Sequence, residues 1–129
     1  MNTKKQKQLL NILVSDDSLF SKFINILDPD YFDPELKPTV SFISEYYNKY
    51  NNLASIDVIN GETDIKLKKY QITKSEIDYC ADEIEKFCRY KAIENAVLSA
   101  PALIKKGDYG KMESAIRDAI SVGLEKDLG

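Results

Sequence analysis

The chain of 129 residues carries 18 basic and 21 acidic side chains, a formal net charge of −3, and no histidine. This balance creates no global positive field for nucleic acid, and the missing histidine excludes histidine-dependent catalysis and the usual zinc sites. The sequence also lacks a Walker-type phosphate loop (Gly-x-x-x-x-Gly-Lys followed by Ser or Thr), so the usual route of nucleotide hydrolysis is closed. We therefore expect a folded protein that is not an enzyme and has no catalytic residues, cofactor or metal site.

The cysteines and the N-terminus predict a cytoplasmic protein. Cys80 and Cys88 lie on one predicted helix, about 12 Å apart at the rise of an α-helix, which is too far for a mutual disulfide. The apolar stretch Leu9–Val14 is too short to cross a membrane and does not form a signal peptide. Reduced thiols without a leader are typical of the cytoplasm, so we expect no membrane partner.

The N-terminal region predicts two successive helices. Leu9–Val14 form an apolar cluster on helix one, and Ser15 or Asp16 begins helix two, whose apolar face reaches Leu27. Asp28-Pro29-Asp30 ends helix two, because proline disfavours the helical conformation of the residue before it.

The next segment predicts a longer helix. Asp33 and Pro34 have the residue types of an N-cap and a first helical position, and helix three then runs to about Tyr50. Pro38 in its first turns is compatible with a slightly later start. The alternating aspartates of residues 28–33 lack the glycine and glutamate of a calcium loop, so we interpret them as helix caps and a turn.

Around residue 60 the pattern is weaker. Ser55 begins a short helix, and Gly61 is expected to end it in a C′ position. Glu62–Gln71 favours another short helix, with a short strand as the alternative. Thr73 followed three residues later by Glu76 is a capping box and predicts the start of a long helix.

The last third of the chain predicts a helical hairpin. The long helix covers about residues 73–106, Gly107-Asp108 forms a turn, and a second helix covers Tyr109–Val122. Pro101 lies inside the long helix and is expected to kink it or to end it near Ala100.

Apolar positions along the long helix advance in steps of 3-4-3-3-3-4-3-4 residues. Three consecutive steps of three rotate the apolar stripe by about 60° relative to a 3.6-residue helix. We therefore expect the stretch to Phe87 to face the rest of the protein, and the stretch from Tyr90 onward to face the return helix and a neighbouring subunit. The stripe consists of Ile77, Cys80, Ile84, Phe87, Tyr90, Ile93, Val97, Ala100 and Ile104.

Together these elements predict an all-α protein, a small helical head followed by an antiparallel helical hairpin. The head covers residues 1–72, the hairpin 73–122, and residues 123–129 are typical of the start of a linker. Exposed apolar stripes on a hairpin are commonly hidden by pairing with a second chain. The predicted hairpin seam and protomer contact is Ile93, Val97, Ala100, Ile104, Met112, Ile116, Ala119 and Ile120.

Several charged clusters have a plain structural interpretation. Lys4-Lys5-Lys7 and Lys66-Lys68-Lys69 are interleaved with acids elsewhere in the chain, and we interpret them as solvated faces. Glu85 and Arg89 have the i,i+4 spacing of a helical ion pair.

The order and spacing of the apolar and aromatic residues resemble the N-terminal domain of DnaB-type replicative DNA helicases, with the T-even-phage branch nearest. No single motif is specific, and the similarity covers most of the chain. It continues through Glu85–Arg89 and Ala92–Ile104, like the long hairpin helix of that family, and through Ala115–Val122, like its return helix. The residues that carry it first are Leu19-Phe20-Ser-Lys-Phe23, Leu27-Asp-Pro-Asp-Tyr31-Phe32, Phe42-Ile43 with Tyr46-Tyr47 and Tyr50, and Ser55-Ile56-Asp57.

The resemblance implies a collar module. Domains of this family pair through their hairpins and build a ring stacked on the ATPase tier, which supports hexamer assembly and provides docking surfaces for primase and helicase loader. The resemblance therefore implies self-association as a dimer or a hexameric ring. ATP and Mg²⁺ would then belong only to a motor domain downstream of residue 129, and contact of this domain with DNA would be weak or indirect. A phage-infected bacterial cytoplasm would be the setting.

Two alternatives from other classes stay open. One is a stand-alone helical adaptor or helicase loader, which binds a helicase without being part of it. The other is a helical nucleic-acid-binding module that uses Lys66, Lys68, Lys69 and the tyrosines, although such aromatic platforms normally lie in a basic groove.

Overall fold

The computed structural model describes residues 1–123, and these residues form six α-helices, a single 3-10 turn and no strand. The prediction of an all-α head followed by a helical hairpin is confirmed. The chain divides into two compact units, Met1–Ile84 and the residues from Glu85 onward, so the division falls inside the longest helix. The helices are α1 Thr3–Leu13, α2 Asp17–Phe23, α3 Lys37–Tyr50, α4 Ile56–Glu62, α5 Lys74–Lys105 and α6 Tyr109–Ile120, with the 3-10 turn at Pro29–Tyr31. Of the predicted linker, all but residue 123 lies outside the described residues.

The first unit has a continuous apolar core. The apolar cluster predicted on helix one is buried throughout, as are the aromatic rings of α2. Helix two ends at Phe23, earlier than predicted, and a turn carries the chain to the buried Leu27. The largest fully buried apolar side chains are Leu9, Leu10, Leu13, Phe20, Phe23, Leu36, Val40, Ile59, Leu67 and Ile84.

Three predicted helix starts are confirmed by side-chain caps. The carboxylate of Asp16 accepts from the backbone N–H of Leu19 at 2.8 Å, and Ser55 Oγ accepts from Val58 at 3.3 Å. Thr73 and Glu76 form the capping box, since each side chain accepts from the backbone N–H of the other, at 3.2 and 3.0 Å. The backbone N–H and the hydroxyl of Thr73 both donate to the Glu76 carboxylate, and these two hydrogen bonds lower the pKa of Glu76.

The predicted N-cap role of Asp33 is wrong. Helix α3 begins at Lys37, three residues after the predicted first position Pro34, with no side-chain cap. Pro38 lies in its first turn, so the slightly later start that this proline allows is confirmed. Asp33 instead contacts α1: its backbone N–H donates to Gln6 Oε1 at 2.9 Å, and its carboxylate accepts from Thr3. The local sequence predicts that Asp33 caps a helix, but in the fold Asp33 binds residues of α1 instead.

The expectations for Gly61 and for Glu62–Gln71 are also wrong. Gly61 lies inside α4, which continues to Glu62 and is capped by Thr63. No regular element forms between Thr63 and Thr73. This segment is nevertheless fixed. Its backbone N–H groups donate to the side chains of Asn60 in α4, Asn11 in α1 and Ser15 in the turn after α1, and Leu67 is buried.

Helix α5 continues through Pro101 and ends at Lys105, which confirms the predicted long helix over about residues 73–106. Of the two effects expected of Pro101, an end near Ala100 is wrong. Proline removes one backbone donor, but the helix resumes its ladder directly afterwards, with Lys106 donating to Ala102 at 3.2 Å. No helix among residues 1–123 is both long enough and apolar enough to span a bilayer.

Candidate protein interface on the hairpin

A Schellman motif closes the hairpin at its tip. The backbone N–H of Asp108 donates to Leu103 at 2.8 Å and that of Gly107 donates to Ile104 at 3.0 Å. Gly107 has a φ of 73°, which a residue without a Cβ adopts at little cost. The turn predicted at Gly107-Asp108 is therefore confirmed, and α6 starts directly after it.

At the opposite end the two helices of the second unit meet again. Arg89 Nε donates to the backbone carbonyl of Val122 at 2.9 Å, and its Nη2 contacts the Glu85 carboxylate at 2.7 Å. The predicted Glu85–Arg89 pair is thus confirmed, and it also orients the arginine toward the end of α6. Because α6 returns from the tip to the level of Arg89, the helices run antiparallel.

Gly123 allows the close approach at this end. Its φ is +85°, and a Cβ there would lie 2.7 Å from Glu85 Cγ. Both the backbone conformation and the space therefore require glycine.

The structure separates the predicted contact residues into three groups. Ala119 is buried, as are Ala92 and Ala96 of α5. Val97, Ile104 and Ile120 are about half exposed, at 56%, 49% and 52%. The remaining four are partly buried: Ile93, Ala100, Met112 and Ile116.

An apolar groove lies on the surface of α5. It has a volume of about 260 Å³ and is lined by Tyr90, Ile93, Glu94, Val97 and Leu98. These residues follow the i, i+3, i+4, i+7, i+8 pattern of a single helical face. We call this surface the α5 groove.

Tyr90 and Leu98 are groove residues that the predicted contact set omits. Leu98 is the most exposed large apolar side chain of the described residues, at 72%. The single row of apolar positions already contains Tyr90, but it passes through Val97 and leaves out Leu98. Testing the broader amphipathic pattern of a helical face, starting from Tyr90, would have found Leu98 as well.

The only charged side chain in the groove has a partner on its own helix. Glu94 pairs with Lys91 at 3.3 Å. The floor of the groove can therefore meet an apolar surface without leaving that carboxylate unpaired.

The thiols do not form a reactive site. Cys80 Sγ lies 3.8 Å from the carbonyl oxygen of Leu9, and burial raises its pKa to about 12, so the thiolate is not formed near neutral pH. Cys88 is likewise fully buried. Among residues 1–123 no three potential metal ligands come together.

Comparison with known proteins gives the chain no family. No protein-family model, no curated protein and no solved structure matches it. The resemblance to DnaB-type N-terminal domains therefore stays a prediction, and the function has to be inferred from the chain's own residues.

Proposed function

We propose that the protein is an oligomerisation domain that pairs with a second copy of itself through the α5 groove, as the N-terminal collar of a phage-like hexameric replicative helicase. In that role it would also present docking surfaces to primase or loader. The observation that carries the proposal is the exposure of large apolar side chains along one face of α5, with Tyr90, Val97 and Leu98 each more than half exposed. Contiguous apolar surface of this kind marks interaction sites.

A second copy suits the groove because the groove is nearly symmetric about its centre. Tyr90 precedes Glu94 by four residues, and Leu98 follows it by four. Two antiparallel α5 helices related by a twofold axis near Glu94 would place each tyrosine against the partner's Leu98, and the same patch would serve both chains. The internal Lys91–Glu94 pair limits the repulsion between the two glutamates at that axis.

The proposal predicts a reversible dimer or larger ring in solution. Sedimentation equilibrium across the micromolar range should show a mass above the 14.7 kDa of a single chain, and this mass should fall on dilution. Val97→Asp places a charge inside the groove and should make the protein monomeric, because the charge would lose its water in the pair. The helical circular dichroism of the variant should match that of the wild type, since Val97 is exposed.

Asn95→Asp is the matched control. Asn95 is an exposed residue of α5 outside the groove, and its substitution adds the same single negative charge. This variant should keep the oligomeric state of the wild type. A wild-type protein that stays monomeric at every concentration, or an equal loss of assembly in both variants, would refute pairing through the groove.

The encoding reading frame separates the helicase collar from the adaptor. Continuation beyond residue 129 into a Walker-type phosphate loop would support a collar joined to a motor domain. A stop codon at that point would favour a stand-alone adaptor or loader, which could use the same groove for a helicase subunit.

A further inference from the structure

We infer that the first unit carries a site for single-stranded nucleic acid, in a basic pocket between α1 and the segment that follows α4. The pocket has a volume of about 460 Å³, and its lining includes Lys4, Lys7, Lys66, Lys68 and Tyr70. The site is independent of the proposed pairing, and it goes beyond a role in which the domain has only weak or indirect contact with DNA.

Two lysine clusters that are remote in the sequence meet in this pocket. Lys4 and Lys7 come from the first two turns of α1, and Lys66 and Lys68 come from the irregular segment some sixty residues later. Four of the six lysines that local sequence assigns to solvated faces therefore line one cavity. No aspartate or glutamate of residues 1–123 lines it with them.

The geometry of the pocket is fixed by the backbone of the irregular segment. The side chain of Asn11 accepts from the N–H of Lys68 at 2.8 Å, and Ser15 Oγ accepts from the N–H of Tyr70 at 2.8 Å. Leu67, which precedes both of these residues, is buried, whereas Lys66, Lys68 and Tyr70 line the pocket.

The positive charges of the pocket are not neutralised by carboxylates. Within residues 1–123, Lys4, Lys7 and Lys68 take part in none of the salt bridges. Lys66 donates to the backbone carbonyls of Asn60 and Thr63 at the end of α4, so its charge also stays uncompensated. Concentrated lysine charge of this kind attracts phosphate groups.

The lysines near the N-terminus of α1 destabilise this helix. Its first turn contains no acidic residue, and Lys4 and Lys7 lie near the positive end of the helix dipole, where cations are unfavourable. The dipole adds to the positive potential of the pocket. Removing Lys4 should therefore leave the fold as stable as before or more stable, which separates binding from folding in a test.

A nucleic-acid strand fits the pocket better than an acidic peptide. An added peptide strand would need free backbone donors, but the N–H groups of Leu67, Lys68 and Tyr70 are already bonded to Asn60, Asn11 and Ser15. Tyr70 is 46% exposed at the pocket and offers an aromatic face to a base. Lysines along a groove combined with an exposed aromatic ring form the usual single-strand site.

The test is binding of fluorescent oligo(dT) and oligo(U) of about 12 nucleotides to the full chain, followed by anisotropy across a salt series. With four phosphates engaged, log K should fall with log salt at a slope of about −3. Replacing Lys4, Lys7 and Lys68 by glutamine should reduce that slope to about −1. Lys66 is left in place because it also caps α4.

The matched control replaces Lys69, Lys86 and Lys106 by glutamine. These exposed lysines lie outside the pocket, and their loss changes the net charge equally. The control should bind as the wild type does, and both triple variants should keep the wild-type oligomeric state and helical content. A failure of pairing through α5 would leave this result unaffected.

Tyr70 tests the class of ligand. Tyr70→Ala should weaken oligonucleotide binding roughly 5- to 100-fold, and Tyr70→Phe should restore it, because the ring and not the hydroxyl stacks on a base. Absence of binding at low salt, or an equal loss in the control triple variant, would overturn the inference. Binding of a polyglutamate peptide of matched charge as tightly as oligo(dT) would assign the pocket to an acidic protein segment instead.

Discussion

The two units of the chain bury their apolar side chains to very different extents. Eighteen of the buried apolar residues lie in Met1–Ile84, whereas the described part of the second unit contributes five, three of them alanines. The second unit at the same time exposes Tyr90, Leu98 and Tyr109 by more than 60%. The first unit thus completes its own core, whereas the hairpin keeps apolar surface that a second chain could cover.

A matched pair of leucine truncations tests this contrast most strongly. Leu13 is fully buried and Leu98 is 72% exposed. Leu13→Ala should lower the free energy of unfolding by about 2–5 kcal/mol, because it leaves a cavity in the core. Leu98→Ala should change it by about 0.5 kcal/mol or less at a protein concentration low enough for monomers.

Urea unfolding at two protein concentrations provides the measurement. At high concentration Leu98→Ala should lose stability relative to wild type, since assembly stabilises the folded state by mass action. If both leucine truncations lower the free energy of unfolding of the dilute protein by the same amount, the contrast between the units is wrong.

A pair of glycine substitutions should change the free energy of unfolding by smaller amounts, with opposite signs in the two units. Gly123→Ala should destabilise the hairpin by about 1–2 kcal/mol from the positive φ alone, and the contact with Glu85 adds to this. Gly61→Ala should stabilise by about 0.5–1 kcal/mol, because the residue is helical and nothing lies within 4 Å of the new methyl group. Thermal unfolding of both variants measures the signs, and stabilisation by Gly123→Ala would contradict the close approach seen at the end of α6.

The reactivity of the two cysteines measures local opening in each unit separately, and the variants needed for this test should perturb the chain least. Cys80 belongs to the first unit and Cys88 to the second, and neither is accessible in the folded chain. The rate of reaction with a thiol reagent is measured under native conditions. The Cys80→Ala variant gives the rate for Cys88, and the Cys88→Ala variant gives the rate for Cys80. We expect Cys88 to react first, because local opening is easier where less apolar surface is buried. Faster reaction of Cys80 would mean that the hairpin is the more stable unit.

Signals confined to one or two helical turns could be predicted from the sequence. The Thr73–Glu76 capping box, the Ser55 cap and the turn at Gly107 each involve residues within five positions of one another. Such contacts need no knowledge of the rest of the fold. The hairpin follows from them together with the spacing of its apolar residues.

Two of the wrong predictions concern places where distant residues decide the local structure. Asp33 binds Thr3 and Gln6 in place of capping a helix. The segment after α4 is neither helix nor strand, because Asn11 and Ser15 satisfy its backbone donors. Tertiary context overrides weak local preference in both places.

The candidate sites show the same division. The apolar face of α5 is visible as a periodic pattern, although a single row of residues missed Leu98. Neither lysine cluster alone predicts the basic pocket, because each cluster by itself is typical of a solvated face. Only the fold brings Lys7 and Lys68 to the same cavity.

The hydrogen bond between Asn11 and Lys68 spans 57 residues and therefore has a consequence for the order of folding. Contacts of such large sequence separation form late, because a long loop must close before they are made. Helix α1 leaves the ribosome well before the irregular segment after α4. Lys4 and Lys7 are therefore synthesised before Lys66 and Lys68, with which they line the pocket. We therefore expect the basic pocket to form late, and a chain whose synthesis stops before Leu67 lacks it.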